Sequence, residues 1–226
     1  MTLILFDIDK TLIQSSTAKD TIAYPAAFKN IYGVDATIDF AKVQGMTDQQ
    51  IIIDTMKAKG VDEKIIHSKL QACMNAMVSA FNRVADTDIV VVLPGIPELL
   101  KELHRRKVLM GLVTGNLEPI ARTTLRKVKL DHYFPIGGFG SDHIDRAVLV
   151  KIALQRAQEQ YHFSKSGTVI LCGDAPQDMQ AGKKARVRTM GVTTGIYTKE
   201  QLLKAGADII INNWKDTQKV LALMGV

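Results

Sequence analysis

Leu3-Ile4-Leu5-Phe6-Asp7-Ile8-Asp9 is a short apolar run that ends at two acids. An apolar run of this length, bounded by polar residues, predicts a buried β-strand. Its carboxyl end carries Asp7 and Asp9. Because ligands of an open parallel sheet bind beyond the carboxyl ends of its strands, this stretch predicts both a strand and the edge at which chemistry takes place.

The chain from Ile89 onward alternates between strand-like and helix-like segments. Strands are predicted at residues 108–113, 133–138, 168–172, 189–192 and 208–211, and helices at residues 118–128, 144–161 and 178–185. Strands that alternate with helices of this length indicate a mainly parallel sheet covered on both faces. The predicted fold class is therefore α/β, with a Rossmann-like parallel sheet as its core.

A helical block interrupts this alternation directly after the first strand. Residues 48–59 and 63–83 carry apolar side chains at helical spacing, and strand-like runs are missing between residues 20 and 86. Since the first strand precedes the block, we interpret it as an inserted cap rather than a separate N-terminal domain. The predicted division is a core of residues 1–16 and 88–226 and a helical cap of residues 17–87.

Composition narrows the class of protein. The 226 residues include 46% hydrophobic and 23% charged residues, typical of a globular protein and not of a disordered or membrane-spanning chain. Cys73 and Cys172 match no zinc spacing, and the N-terminal segment has no basic leader, so we expect reduced thiols and a cytoplasmic location. The formal charge of +6 indicates a solvated basic surface or attraction of anionic substrates. The basic residues are dispersed, so neither a nucleic acid nor a membrane is expected as a partner.

Three predicted strand ends deliver polar groups to the same edge of the sheet. They supply Asp7 and Asp9, then Thr114-Gly115-Asn116, then Asp174 followed by Asp178. Carboxylates this close repel one another unless a cation is present, and a set of oxygen ligands suits Mg²⁺. With Mg²⁺ bound, one carboxylate could attack a phosphoryl group. Asp9 would reach the leaving oxygen as a general acid only if the chain turns after Asp7, because an extended chain would point its side chain elsewhere.

These segments resemble the motifs of the haloacid dehalogenase superfamily in their usual order. The matching segments are Phe6-Asp7-Ile8-Asp9-Lys10-Thr11-Leu12, Leu112-Val113-Thr114-Gly115-Asn116 and Val169-Ile170-Leu171-Cys172-Gly173-Asp174-Ala175-Pro176-Gln177-Asp178. The resemblance covers essentially the whole chain, including a helical cap after the first strand, as in the phosphoglycolate phosphatase and β-phosphoglucomutase branch. Motifs in this combination are much more specific than any one of them alone.

The resemblance implies a role for each residue. Asp7 would be the nucleophile, and Asp9 the general acid and later the base. Thr114, Gly115 and Asn116 would bind the substrate phosphate, while Asp7, Asp9 (through its main-chain oxygen), Asp174 and Asp178 would hold Mg²⁺.

The basic residue that relatives place between the second and third motifs is Arg146 or Lys151 here. Arg146 is favoured because it lies in the first turn of a predicted helix and has a planar fork suited to phosphate. Lys151 is expected to be solvated.

The sequence departs from the common pattern at two positions, where Lys10 replaces a frequent glycine and Ala175 a frequent Ser or Thr. Lysine would be strained at positive φ. Neither departure removes a carboxylate.

The functional prediction is a Mg²⁺-dependent phosphomonoester hydrolase that acts on a small phosphorylated metabolite through an aspartyl-phosphate. A β-phosphoglucomutase-like sugar-phosphate mutase would use the same residues and stays open, and a dehalogenase is less expected. The alternative from another class is a non-catalytic phosphate-binding regulatory protein. Within the cap, Gly45-Met46-Thr47-Asp48 is either a helix N-cap or a loop that contacts the non-phosphate end of the substrate.

Overall fold

A six-stranded, wholly parallel sheet forms the centre of the molecule. The structure is a computed structural model that describes residues 2–15, 19–164 and 166–226. The sheet strands are β1 (Thr2–Phe6), β4 (Leu109–Thr114), β5 (Ile136–Phe139), β6 (Thr168–Gly173), β7 (Arg188–Val192) and β8 (Ile209–Ile211). Their order across the sheet is β5-β4-β1-β6-β7-β8.

Helices cover the sheet and build the region inserted after β1. The inserted helices are α1 (Tyr24–Tyr32), α2 (Phe40–Val43), α3 (Asp48–Ala58) and α4 (Glu63–Val84). The helices of the sheet region are α5 (Ile96–Arg105), α6 (Glu118–Lys127), α7 (Arg146–Tyr161), α8 (Pro176–Ala185), α9 (Lys199–Ala205) and α10 (Thr217–Met224). A short π-helical turn, Lys19–Ala23, leads into α1.

Strand β1 is central because both of its faces are apolar. Residues 3–6 are fully buried, and they pair with β4 on one side and β6 on the other. Alternate side chains of β1 enter two different hydrophobic clusters, with Ile4 and Phe6 in one and Leu3 and Leu5 in the other. A continuous aliphatic run is what a strand between two helical layers requires.

The inserted helices have a hydrophobic core of their own. Its buried members lie between Ala23 and Phe81 and are joined by Leu117 and Ile120 from the start of α6. The connections into and out of this region pair as an antiparallel ribbon of β2 (Ile13–Ser15) and β3 (Val90–Val92). The parallel sheet with a helical cap confirms the predicted fold class, while the exact boundaries at residues 17 and 87 stay a prediction.

Two predicted elements begin two or three residues later in the structure than expected from the sequence. The strand expected from residue 133 begins at Ile136, because residues 131–133 form a 3₁₀ turn. The helix expected from residue 144 begins at Arg146, since the Asp145 side chain accepts a hydrogen bond from the amide of Ala147 and so caps the start of α7.

Among the residues that the structure describes, no helix combines the length and the hydropathy needed to cross a membrane.

Candidate active site

Three buried aspartates meet at the carboxyl edge of the sheet. Asp7 follows β1, Asp174 follows β6, and Asp178 lies in the first turn of α8. One carboxylate oxygen from each lies within 4.8 Å of the others. Parallel strands end at the same edge of a sheet, so adjacent strands β1 and β6 bring these residues together although about 170 residues separate them in sequence.

Asp178 reaches this cluster because Gly173 leaves room for it. A Cβ atom at Gly173 would lie 2.2 Å from the Asp178 carboxyl group. The Asp178 carboxylate folds back and accepts a hydrogen bond from the amide of Ala175 at 3.1 Å. Glycine is therefore required before Asp174 on steric grounds, because any side chain at position 173 would displace the Asp178 carboxylate from the cluster.

Asp9 enters the same cleft through a tight turn. Strand β1 ends at Phe6, and the amides of Thr11, Leu12 and Ile13 all hydrogen-bond the carbonyl of Ile8. Asp7 and Asp9 therefore both line the cleft, as the turn expected after Asp7 requires.

Lys10 lies in this turn at φ 61°, the left-handed region that favours glycine. The strain expected at positive φ is thus present, and a non-glycine residue there costs on the order of 1 kcal/mol.

The loop after β4 supplies a second polar wall. Thr114 is the last residue of β4 and is 1% exposed. The Asn116 side-chain amide donates a 2.7 Å hydrogen bond to Asp9 Oδ2, and the Ser15 hydroxyl donates to Asp9 Oδ1 at 3.2 Å. These donors hold the Asp9 carboxyl group in a fixed orientation.

Arg146 is the buried cation of the aspartate cluster. Its guanidinium donates to Asp7 Oδ1 at 2.5 Å and to the carbonyl of Gly45 at 3.1 Å. Its Nε forms an ion pair with Asp178 Oδ1 at 2.7 Å. Lys151, the rival candidate, is exposed on α7.

Burial and mutual repulsion disfavour ionisation of the three aspartates. Burial, with repulsion from Asp178, Asp174 and Asp9, raises the pKa of Asp7 well above its ordinary value, and Arg146 only partly opposes this. Burial and Asp178 likewise raise the pKa of Asp174 to about 7. The cluster therefore holds more negative charge than Arg146 alone can stabilise.

This donor set fits a Mg²⁺ ion. All three side chains offer hard carboxylate oxygens, which Mg²⁺ prefers. Asp178 Oδ1 is buried and accepts no hydrogen bond among the described residues, although Arg146 Nε lies 2.7 Å away as an ion-pair partner. Arg146 is shared between Asp7 and Asp178, so a further cation would be needed to balance the three buried carboxylates. Asp7, Asp174 and Asp178 are thus the side chains that would hold the ion; the carbonyl of Asp9 stays a predicted fourth ligand.

A loop of the cap closes over the cleft. The Asp48 amide donates to the carbonyl of Gly115, and a Cβ atom at Gly115 would lie 2.2 Å from the carbonyl oxygen of Met46. The Thr47 hydroxyl accepts from the amide of Gln50, which confirms the N-cap interpretation of this segment. Gly45, Met46 and Asp48 also line the cleft. The segment can therefore be the N-cap of α3 and also lie where a loop would contact the substrate.

Sequence reasoning missed two charged residues of the cleft, Lys19 and Asp20. Lys19 pairs with Asp48 at 3.4 Å and donates a short hydrogen bond to Asn116 Oδ1. No motif indicates a lysine at this position. The pairing arises only when the cap packs on the core, since Lys19 and Asn116 are 97 residues apart.

Comparison with known proteins agrees with this geometry. A family model described as haloacid dehalogenase-like hydrolase matches residues 4–192, which include every candidate site residue. The chain belongs to this family of hydrolases.

Members and structural neighbours of the family resemble the chain over nearly its full length. A phosphoglycolate phosphatase of Vibrio parahaemolyticus is 24% identical over 98% of this chain and 96% of its own length. Among solved structures, a predicted phosphatase from Clostridium acetobutylicum has a TM-score of 0.71 at 21% identity, covering 98% of each chain. A candidate β-phosphoglucomutase from Thermotoga maritima has a TM-score of 0.61 at 21% identity, covering 99% of each chain. At these identities the structures show the shared fold and no more.

Proposed function

We propose that this family member is a Mg²⁺-dependent phosphatase that hydrolyses a small phosphomonoester through an aspartyl-phosphate on Asp7. The observation that carries the proposal is the buried cluster of Asp7, Asp174 and Asp178 with Arg146 against it. Phosphatase activity is also the activity named for the Vibrio relative.

The residues of the cleft divide the reaction between them. An Asp7 oxygen attacks the phosphorus atom, and the bond to the ester oxygen breaks as the new P–O bond forms. Asp9, held by Asn116 and Ser15, gives its proton to the departing alkoxide. Asp9 then takes a proton from a water molecule that attacks the phosphorus, which releases inorganic phosphate and restores Asp7.

The remaining groups bind and orient the phosphate. Arg146 places its positive charge beside the attacking carboxylate, and Thr114 with the amides of Gly115 and Asn116 forms the wall that would hold the phosphoryl oxygens. When bound, Mg²⁺ would supply positive charge that balances the carboxylates and the phosphate. Gly45, Met46 and Asp48 of the cap form the wall of the cleft opposite the sheet edge.

The sugar-phosphate mutase stays an alternative, because the fold is shared with a candidate β-phosphoglucomutase. The two activities are separated by incubating the purified protein with Mg²⁺ and a panel of phosphometabolites, while inorganic phosphate and isomers are measured together. We expect release of phosphate that stops on chelation with EDTA. Isomer formation faster than phosphate release would favour the mutase, and activity that survives exhaustive chelation would contradict the metal requirement.

A further inference from the structure

Three charged residues of the cap line the same cleft as Asp7. They are Lys19, Asp20 and Asp48. None of them takes part in the proposed catalysis, so they are available to contact the part of a substrate that is not the phosphate. Their charges therefore bear on which phosphomonoesters the cleft accepts.

The positive charge of Lys19 is already neutralised within the protein. Its ammonium group lies 3.4 Å from Asp48 Oδ1 and donates to Asn116 Oδ1. Burial alone would lower the pKa of Lys19, but the charges of Asp48, Asp20 and Asp9 outweigh burial and raise it. Lys19 is thus a paired cation and not a free receptor for an anion.

Asp48 cannot easily move away to release Lys19. Its side chain is 1% exposed. The Tyr24 hydroxyl donates to Oδ1 at 2.6 Å, and the amide of Leu117 donates to Oδ2 at 2.9 Å. Because these donors come from both the cap and the core, the Asp48 side chain is held in place beside Lys19.

The walls of the cleft carry an excess of negative charge. Five carboxylates and three basic groups line it among the described residues. Arg146 is bound to Asp7, and Lys10 directly follows Asp9. Mg²⁺ and a phosphate dianion add no net charge together, and the proton that Asp9 donates removes one of the two excess negative charges, so one persists in the loaded site.

A second cavity adjoins the cleft, and its walls do not offset the excess negative charge of the cleft. It shares Asp9, Lys10, Lys19, Asp20 and Asn116 with the cleft. Its other lining residues in the part of the chain that the structure describes are Gln14, Ser15, Phe81, Asp88, Ile120 and Thr124. They add one more carboxylate and no cation, together with neutral hydrogen-bonding groups and two apolar side chains.

Resting on the proposed phosphatase activity, we propose that this enzyme selects phosphomonoesters of uncharged, hydroxyl-bearing alcohols and rejects those with a second negative charge. Asp48 neutralises Lys19, so Asp20 leaves the cap side of the cleft with a net negative charge, which repels a substrate carboxylate. Neutral hydroxyl groups meet Gln14, Ser15 and Thr124 without an electrostatic penalty.

Two matched pairs of esters test the selection. Phosphoglycolate is compared with ethylene glycol phosphate, and 3-phosphoglycerate with glycerol 3-phosphate, all with Mg²⁺. We expect kcat/KM to be at least about tenfold higher for the uncharged member of each pair. Asp48→Asn removes the charge but keeps an oxygen for the amide of Leu117, so it should move the ratio about tenfold towards the carboxylates.

A control and a second variant keep this test sharp. Asp54→Asn removes an exposed carboxylate from the same helix, α3, and should leave the ratio unchanged. Asp20→Asn should move the ratio in the same direction as Asp48→Asn by a few-fold, which covers the case in which the Asp48 variant does not fold. A wild-type preference for the carboxylate members, or a ratio that neither variant moves, would overturn the proposal.

Binding separates this proposal from the proposed function. Calorimetry with Asp7→Asn and Mg²⁺ measures the affinity for both members of each pair without turnover. Tighter binding of the uncharged members supports the selection even if the wild type hydrolyses none of the esters, in which case the phosphatase proposal alone fails. Tighter binding of the carboxylates overturns the selection whatever the activity.

Discussion

Asp7 is surrounded by charge on every side, with Arg146 as its cation and three other aspartates nearby. This setting suits a carboxylate that attacks a phosphoryl group while bound cations balance its charge. The same burial makes an uncharged side chain at position 7 structurally tolerable. A substitution that removes the charge of Asp7 can therefore be tested for its effect on activity while the protein stays folded.

The first prediction concerns Asp7→Asn. We expect the variant to fold, with kcat reduced at least about 10³-fold, equivalent to roughly 4 kcal/mol of transition-state stabilisation, because an amide cannot form the acyl-phosphate. Steady-state kinetics with Mg²⁺ and circular dichroism measure the two properties. Turnover within tenfold of wild type would remove Asp7 as the nucleophile.

The second prediction compares Arg146 with Lys151. Arg146→Ala should lower kcat/KM at least about 10²-fold, roughly 2.7 kcal/mol, because it leaves Asp7 without its guanidinium. Lys151→Ala is the matched control on the same helix, and its exposed side chain should make the change only a few-fold. If Lys151 were essential and Arg146 silent, the assignment of the phosphate-binding cation would be wrong.

At the scale of elements, the short turn Lys19–Ala23 places two charged side chains, Lys19 and Asp20, at the junction between cap and core. Burial raises the pKa of Asp20 to about 6; Lys19 opposes this rise, while Asp9, Asp48 and Asp88 add to it. A carboxylate in this position therefore lowers the stability of the folded protein near neutral pH.

The third prediction is that Asp20→Asn stabilises the protein in a pH-dependent way. The pKa is higher in the folded protein than in an unfolded chain, at about 3.9, so the folded state loses stability as pH rises from about 4 to about 6. The variant should be more stable than wild type by about 1 to 3 kcal/mol at pH 8, and the difference should vanish near pH 4. Urea unfolding across this range measures it, with Asp54→Asn as the control. A difference that stays constant with pH would contradict ionisation of Asp20 as its cause.

At the scale of the whole molecule, the aspartate cluster links β1, β6 and α8, and Arg146 connects it to the cap loop through the carbonyl of Gly45. An ion that satisfies the cluster should therefore stabilise the entire fold. This effect is measurable without any substrate.

The fourth prediction is that Mg²⁺ raises the melting temperature. At a Mg²⁺ concentration about ten times its Kd the gain is about 1.4 kcal/mol, which corresponds to roughly 3 to 5 °C for a protein of this size. Asp174→Ala should abolish the increase, while Lys151→Ala should keep it. An equal increase in wild type and Asp174→Ala would show that Mg²⁺ binds elsewhere.

The sequence alone determined the layout of the core. The apolar run at residues 3–6 predicted β1, and the alternation after Ile89 predicted a parallel sheet. Together they placed Asp7, Thr114 and Asp174 at one edge. The position of Arg146 in the first turn of a predicted helix also favoured it over Lys151, and the structure places Arg146 against Asp7 and leaves Lys151 exposed. These inferences succeed because periodicity and strand ends are local properties, and parallel connectivity fixes which ends meet.

Only the tertiary structure decided which residues meet on the cap side of the cleft. Lys19, Asp48 and Asn116 come from separate elements, and no spacing in the sequence predicts that they meet. The 3₁₀ turn that delays β5 to Ile136 is likewise an outcome of packing. The physical reason is that a sequence pattern specifies which face of an element is apolar, whereas the angle and depth at which two such faces dock depend on all the side chains between them.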